Sequence, residues 1–481
     1  MKHLPHALAS PPLQLPTGVP GLDDVLGGGI PEGSCTAIVG GPGTGKTTLA
    51  QQILFSTASS GRTGIYFAGP GESQAKVLRH QQQLSFFHRE RLDSSVYLAS
   101  LSQAVVDGDP NHVLQAIARE VEDRHAAFVI VDLVQALTPA SLWKDMAFYL
   151  SRCEITSVLI ADCEPPDTPP TALLSTADAV LWLRHSLTNG IALHTLHAPK
   201  IRGQQPLPGL HPVRLTWDGM QVFPRWPLAE PRMRRARPPE RISAGFPELD
   251  ALLGGGIPAG DTLLVEGDSG TGKSVLATQF VAANGQRGEP SVVLLFEERP
   301  DRFLDRAETL ELGLERLVED GMVEVLSFRG RDLSPDEVIH TVRQAVKRVV
   351  ARCVVIDSTA GLELALSGGG GLRDCLWRLL DSLSGAGVTV WLNSTGEQPL
   401  GALVDDVLEL RRVEHDGRVG QQLRIQKMRS SSHARESRGY EIGAHGVALV
   451  QRELFSKRRN GANGHAVNAV NGPALTLKHT A

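Results

Sequence analysis

Short apolar runs punctuated by glycine alternate along this chain with stretches whose apolar positions recur at helical spacing. Thr36–Gly40 is an apolar run ending in glycines, and Thr47–Ser59 then carries Leu49, Ile53 and Leu54 on one helical face. Ile65–Ala68 and Phe128–Val131 are further runs of buried-strand length. The series returns at Leu263–Glu266, Ser274–Asn284, Val292–Phe296 and Val354–Ile356. Buried strands alternating with helices predict an α/β fold with a mostly parallel central sheet in each half.

The two series are copies of each other. The stretch Gly21–Gly33 (GLDDVLGGGIPEG) resembles Pro247–Gly260 (PELDALLGGGIPAG). Asp23 matches Asp250 and Lys46 matches Lys273, both 227 positions apart (250 − 23 and 273 − 46). The same shift relates Asp178 to Asp405, Lys200 to Lys427 and Arg202 to Arg429. A period of that size is a tandem duplication of a whole domain, not a solenoid. The expected layout is an extension over 1–16, a first domain over 17–223, a linker over 224–240, a second domain over 241–454 and a tail over 455–481. The linker is rich in Pro and Arg, which predicts an extended, fairly stiff connection. The tail is rich in Asn, Gly and Ala and is expected to be disordered.

Composition narrows the function classes. Of 481 residues, 41% are apolar and 21% charged, ordinary values for a globular chain. Lys and Arg total 48 against 53 Asp and Glu, so the formal charge is −5. That balance excludes a global polycation that binds nucleic acid or anionic lipid through bulk charge. The apolar runs are too short to span a bilayer, and 1–16 holds no apolar signal core. Five scattered cysteines form no CxxC pair, which fits reduced thiols and predicts a cytoplasmic protein.

Two segments carry chemistry. Gly40, Gly41, Pro42, Gly43, Thr44, Gly45, Lys46 and Thr47 fit the pattern GxxxxGK[ST], as do Gly267, Asp268, Ser269, Gly270, Thr271, Gly272, Lys273 and Ser274; Thr48 and Val275 follow directly. Each segment follows a predicted strand and opens a predicted helix, which is the context a phosphate-binding loop needs. Glycines let backbone N–H groups wrap an anion, and the helix N-terminus adds positive potential. Lys46 and Lys273 would meet the β- and γ-phosphates of ATP, and Thr47 and Ser274 would ligate Mg²⁺. The second metal ligand should be an acid ending a neighbouring strand. Asp132 and Asp357 each follow an apolar run, 86 residues after Lys46 and 84 after Lys273.

Hydrolysis also needs a group to orient water. Glu297 and Glu298 stand at a strand end 24 residues past Lys273. At the same offset the first copy has Pro70 and Gly71, and a one-residue slip retains only Glu72.

With these residues in view, the chain resembles the KaiC-type branch of the RecA-like ATPases, the family of the bacterial circadian clock kinase-ATPase. The resemblance covers Thr17–Phe223 and Arg241–Leu454. It rests on the Leu-Gly-Gly-Gly-Ile-Pro openings, both phosphate loops, Glu297 and Glu298, Asp357 with Ser358, and the closing Lys427-Met428-Arg429 with its counterpart Lys200-Ile201-Arg202. It implies two RecA-like domains stacked as rings, usually a hexamer, with ATP between subunits. Lys200, Arg202, Lys427 and Arg429 would then reach the neighbouring subunit's γ-phosphate. Two departures stand out. The first copy lacks the glutamate pair, so its nucleotide is expected to be mainly structural, with hydrolysis in the second domain. Gly401 and Ala402 stand where the clock kinases carry adjacent phosphoacceptors, and neither has a hydroxyl.

The leading expectation is an oligomeric signalling ATPase with a protein partner of unknown identity and no membrane association. One alternative is a serine/threonine kinase acting on other hydroxyls. Another is a RecA-like DNA motor. Its channel loops should be basic or aromatic, yet Leu133–Ala140, Thr359–Gly371 and Asn393–Gly401 hold no Lys, Arg or aromatic residue. Nucleic acid is therefore not an expected partner.

Overall fold

The computed structural model describes residues 13–69, 74–101, 110–132, 141–163, 175–188, 191–227, 240–328, 332–366, 371–415, 418–429 and 431–450. Pro70, Gly71, Glu72, Leu133–Ala140, the linker beyond residue 227 up to 239 and the expected tail lie outside the described residues.

The first copy forms one nine-stranded sheet. Its strands are β1 (Cys35–Gly40), β2 (Thr63–Ala68), β3 (Val96–Ser100), β4 (Ala126–Asp132), β5 (Thr156–Asp162), β6 (Ala179–Thr188), β7 (Ile191–Ile201), β8 (His211–Thr216) and β9 (Gly219–Val222). The second sheet contains β10 (Thr262–Gly267), β11 (Ser291–Leu295), β12 (Val323–Ser327), β13 (Cys353–Asp357), β14 (Thr389–Ser394), β15 (Asp406–His415), β16 (Arg418–Met428), β17 (Arg438–Gly443) and β18 (Gly446–Leu449). The spatial order is β9-β8-β7-β6-β1-β5-β4-β2-β3 in one and β18-β17-β16-β15-β10-β14-β13-β11-β12 in the other, the same path taken twice. Six adjacent strands are parallel in each sheet, and the last three are added antiparallel. The expectation of mostly parallel α/β sheets is met, and tandem RecA-like domains account for it.

The central strands are apolar throughout because both their faces are covered. Ile38, Tyr66, Ile130 and Ile160 pack on the side of the helix Lys46–Thr57, with Leu49 and Ile53. Their neighbours in sequence, Ala37, Phe67, Val131 and Leu159, fill a second core on the opposite face. The second sheet divides its apolar residues between two cores in the same way.

Several duplicated polar residues are explained by the architecture. Asp23 accepts from the Thr17 backbone N–H (2.9 Å) and hydroxyl (2.6 Å), and Asp250 accepts from Ala244 N–H (2.6 Å) and the Ser243 hydroxyl (2.7 Å). Asp178 takes the N–H of Cys35 at 3.0 Å, and Asp405 that of Thr262 at 3.1 Å. Gln52 clamps the β8–β9 hairpin to the helix Lys46–Thr57. Its oxygen accepts from Met220 N–H (2.7 Å) and its amide donates to Met220 O (3.2 Å). Gln279 does the same with Val447, at 2.7 and 3.2 Å. A buried amide that satisfies both its ends adds specificity at little cost.

The halves meet along a seam. The Arg214 guanidinium on β8 pairs with Glu337 and donates to Asp332 O. Glu337 also caps its own helix, accepting from Ser334 N–H at 2.6 Å while its N–H donates to the Ser334 hydroxyl at 3.2 Å. Phe223 meets His340 edge-on with ring centroids 5.7 Å apart, and Arg343 lies 4.7 Å over the Trp226 ring.

One buried acid differs between the copies. Asp406 pairs with Leu263 at the start of β15, where the first sheet has Ala179 opposite Thr36. Burial, reinforced by neighbouring Asp261, pushes the Asp406 carboxyl up to about 7. The folded chain therefore holds this proton at pH values where the unfolded chain has lost it. The group's contribution to stability is complete below its ordinary value near 4 and is lost as pH rises through about 7. Asp406→Asn should raise stability at pH 8 by on the order of 2 kcal/mol. That gain should vanish near pH 4, as read by thermal unfolding across pH.

Candidate nucleotide-binding sites

Each phosphate loop sits at the carboxyl end of the central strand and starts a helix. Gly45 and Gly272 hold φ of 93°, and Gly43 and Gly270 hold 74° and 78°. A side chain at Gly45 would meet Met220 Cε at 2.9 Å, and one at Gly272 would meet Ile442 Cδ1 at 2.6 Å. The left-handed backbone favours glycine at both positions, and a side chain there would also have to push these neighbours aside. The buried Thr44 hydroxyl donates to Gly41 O at 2.8 Å and Thr271 to Asp268 O at 2.8 Å, drawing each loop into a ring. The following helices, Lys46–Thr57 and Lys273–Gln286, present their unpaired first-turn N–H groups to that ring.

The lysines differ in their partners. Lys46 donates to Gly41 O at 2.8 Å and forms an ion pair at 2.8 Å with Asp162, the last residue of β5. Lys273 donates to Gly267 O and, at 2.9 Å, to Asp268 O. It has no ion pair among the described residues, and its partial burial lowers its pKa.

Beside Lys46, the Thr47 hydroxyl donates to Asp132 Oδ2 at 2.9 Å. The buried Tyr66 hydroxyl donates to the same oxygen at 2.6 Å. A hydroxyl and a carboxylate held together suit a Mg²⁺ that takes its remaining ligands from phosphate and water. In the second domain Ser274 and Asp357 line one cleft of about 550 Å³ together with Glu297, Glu298, Arg299, Arg302 and Arg306.

The two glutamates of that cleft are held differently. Glu298 accepts two hydrogen bonds from Arg306 Nη1, at 2.6 and 2.7 Å. Glu297 accepts one at 2.9 Å from the hydroxyl of Ser358, which follows Asp357. The helix Thr359–Ala365 passes so close that a side chain at Gly361 would lie 2.7 Å from Glu297 Cγ. Strand register also aligns the copies. Ala68 pairs with Asp132 as Leu295 pairs with Asp357, so two and three residues further on Pro70 and Gly71 correspond to Glu297 and Glu298.

Lys200, Arg202, Lys427 and Arg429 do not join the loop of their own domain. Ile201 pairs with Ala179 at the start of β6, whereas Gly40 pairs with Leu183 four residues on, roughly 13 Å along the strand. Lys200 donates to Ala177 O at 2.6 Å, and Arg202 pairs with Asp178 at 3.0 Å. Lys427 donates to the carbonyls of Gly401 (2.8 Å) and Val404 (2.7 Å), and Arg429 lies 3.6 Å from Asp405. Burial lowers the pKa of both lysines.

Asp162, Tyr66 and Arg306 were not singled out in the sequence. Asp162 was accessible to the argument that found Asp132, since it too follows an apolar run, Val158–Ala161. Tyr66 and Arg306 carry no such signal.

Duplicated strand–loop–helix cradles with an acid at the neighbouring strand end define a tandem P-loop ATPase. Comparison with known proteins specifies it further. The family described as "ATPase: KaiC" matches residues 15–226 and again 242–453. The chain belongs to the KaiC ATPase family. The circadian clock oscillator protein KaiC of Picosynechococcus sp. is 24% identical over 90% of this chain and 89% of its own length. The KaiC of Thermostichus vulcanus is 23% identical over 93% of this chain and 92% of its own. The circadian clock protein KaiC2 of Synechocystis sp. is 24% identical over 91% and 82%. No helix among the described residues is long and apolar enough to cross a membrane.

Removing one member of a largely buried ion pair leaves the other uncompensated. Arg306→Ala should therefore destabilise the chain by about 1–3 kcal/mol, with Glu298 left without its counter-charge. A lower urea midpoint would register it.

Proposed function

We propose that this chain is an oligomeric, ATP-hydrolysing signalling ATPase in which the second domain carries turnover and the first holds its nucleotide mainly for structure. The observation that carries the reading is the contrast at the ends of β2 and β11. Glu297 and Glu298 flank Asp357 in the second cleft, while the corresponding positions in the first copy are Pro70 and Gly71.

On this reading the two glutamates have separate tasks, which their different contacts support. Glu298 is committed to Arg306 and acts as a positioning residue. Glu297, held among the described residues by the Ser358 hydroxyl, orients the attacking water. The water oxygen bonds to the γ-phosphorus as the bridging bond to the β-phosphate breaks, and Glu297 accepts the water's proton. Lys273 faces the charge that gathers on the β- and γ-phosphates. Thr47 with Asp132, and Ser274 with Asp357, would hold Mg²⁺, which neutralises phosphate charge when bound.

Lys200, Arg202, Lys427 and Arg429 sit at the sheet end remote from their own loops, so they act on a neighbouring subunit or not on nucleotide at all. A ring, hexameric as the resemblance implies, would bring them to the next subunit's γ-phosphate. A soluble cytoplasmic setting and a protein partner that senses the second domain's ATP or ADP state complete the proposal. The chemistry at Gly401 and Ala402 gives no phosphoacceptor, which favours hydrolysis over self-phosphorylation there.

Steady-state phosphate release and native mass measurement test the division of labour. Lys273→Ala should abolish most turnover. Lys46→Ala should spare the second domain's chemistry but prevent ring assembly in MgATP; an intact ring formed by that variant without nucleotide would refute the structural role. Glu297→Gln should lower kcat about 100-fold with little change in KM. Glu298→Gln, acting through position alone, should cost less.

A further inference from the structure

Among the described residues, the ion pair between Lys46 and Asp162 has no counterpart in the second domain. Asp162 ends β5 directly opposite Gly40, the first residue of the cradle, and the next N–H, that of Cys163, donates to Gly40 O at 3.1 Å. The carboxylate is thus fixed at the edge of the loop by strand pairing. Lys46 is buried and Asp162 mostly so, with 7% of the Lys46 and 13% of the Asp162 side chain exposed. In the second sheet Ser394 pairs with Glu266, and the next residue along, at the position of Asp162, is Thr395. Among the described residues Lys273 hydrogen-bonds only to carbonyls, and the carboxylates of Asp357 and Asp268 act on it from beyond ion-pair distance.

A phosphate-loop lysine serves by offering its ammonium to the β- and γ-phosphates. In the first domain that ammonium already has an anion at 2.8 Å. An incoming phosphate must share the lysine with a mostly buried carboxylate or displace it. Sharing places two anions within a few ångströms of each other, and displacing leaves a carboxylate without its counter-charge. The cost of sharing grows with the negative charge on the phosphate facing Lys46, which is larger for a triphosphate than for a diphosphate.

We propose that Asp162 is an internal rival anion that sets the specificity of the first site, weakening it for nucleoside triphosphate more than for diphosphate. This rests on the nucleotide-site reading above and refines it: the first domain favours diphosphate, and the second, lacking the rival, favours triphosphate.

The test uses the full chain carrying Lys273→Ala, which silences the second cradle, titrated with fluorescent ATPγS and fluorescent ADP in Mg²⁺. Adding Asp162→Asn should tighten ATPγS binding about tenfold and ADP binding by a clearly smaller factor. Asp162→Thr, which installs the second domain's residue, should do the same and decides the matter if the Asn variant does not fold. Unchanged or weaker ATPγS binding in the folded variants overturns the proposal, as does equal tightening of both nucleotides. Phosphate release that falls while affinity stays constant also overturns it, by making Asp162 a catalytic residue. A control with Lys46→Ala separates the two levels. If the Lys273→Ala chain binds no nucleotide, or binds it as well without Lys46, the nucleotide-site reading itself has failed.

Discussion

An ammonium group brought to the head of a helix and cut off from water must find negative charge or oxygen to face. Everything around each cradle follows from that requirement. The glycines with left-handed backbone turn the loop's N–H groups inward, the threonine staple closes the ring, and the helix adds its positive end to the lysine. Such a concentration of donors is tolerable only because carbonyls, carboxylates or a bound phosphate can answer it. The first domain answers with Asp162, the second with its own loop carbonyls. The central parallel strands exist to hold that arrangement at one sheet edge, with acids from adjacent strands in reach.

Much of this was legible in the sequence. The strands at Cys35–Gly40, Thr63–Ala68 and Ala126–Asp132 each extend the expected apolar run by one to three residues, because hydrophobicity marks a strand's buried middle better than its ends. The duplication could be read from Asp23, Asp178 and their partners, although what those residues do could not. They are backbone fasteners at strand starts, a role set by tertiary contacts. The antiparallel addition of β7, β8 and β9 was less visible, since half-exposed strands such as Ile191–Ile201 lack a continuous apolar signature. Gln52 and Gln279 were missed for the same reason: an amide in a helical pattern reads as surface until its partner on another element is known.

The sites show the same limit more sharply. A glutamate pair at a strand end announces hydrolytic chemistry, but only the contacts with Arg306 and Ser358 distinguish one glutamate from the other. Two copies with the same topology have thus diverged where single side chains meet. Val293 stands where the first copy has Tyr66, Thr395 where it has Asp162, and Ala179 where the second has Asp406.

The seam at Arg214 has a mechanical consequence. Arg214 precedes Leu215, whose side chain, with that of Met220, lies over Gly45 and so roofs the first cradle. The same arginine grips Glu337, which tethers the start of the helix Pro335–Val349 in the other half. The roof of one pocket and the root of a helix in the next domain are therefore fastened together through one guanidinium, carried on the hairpin between them.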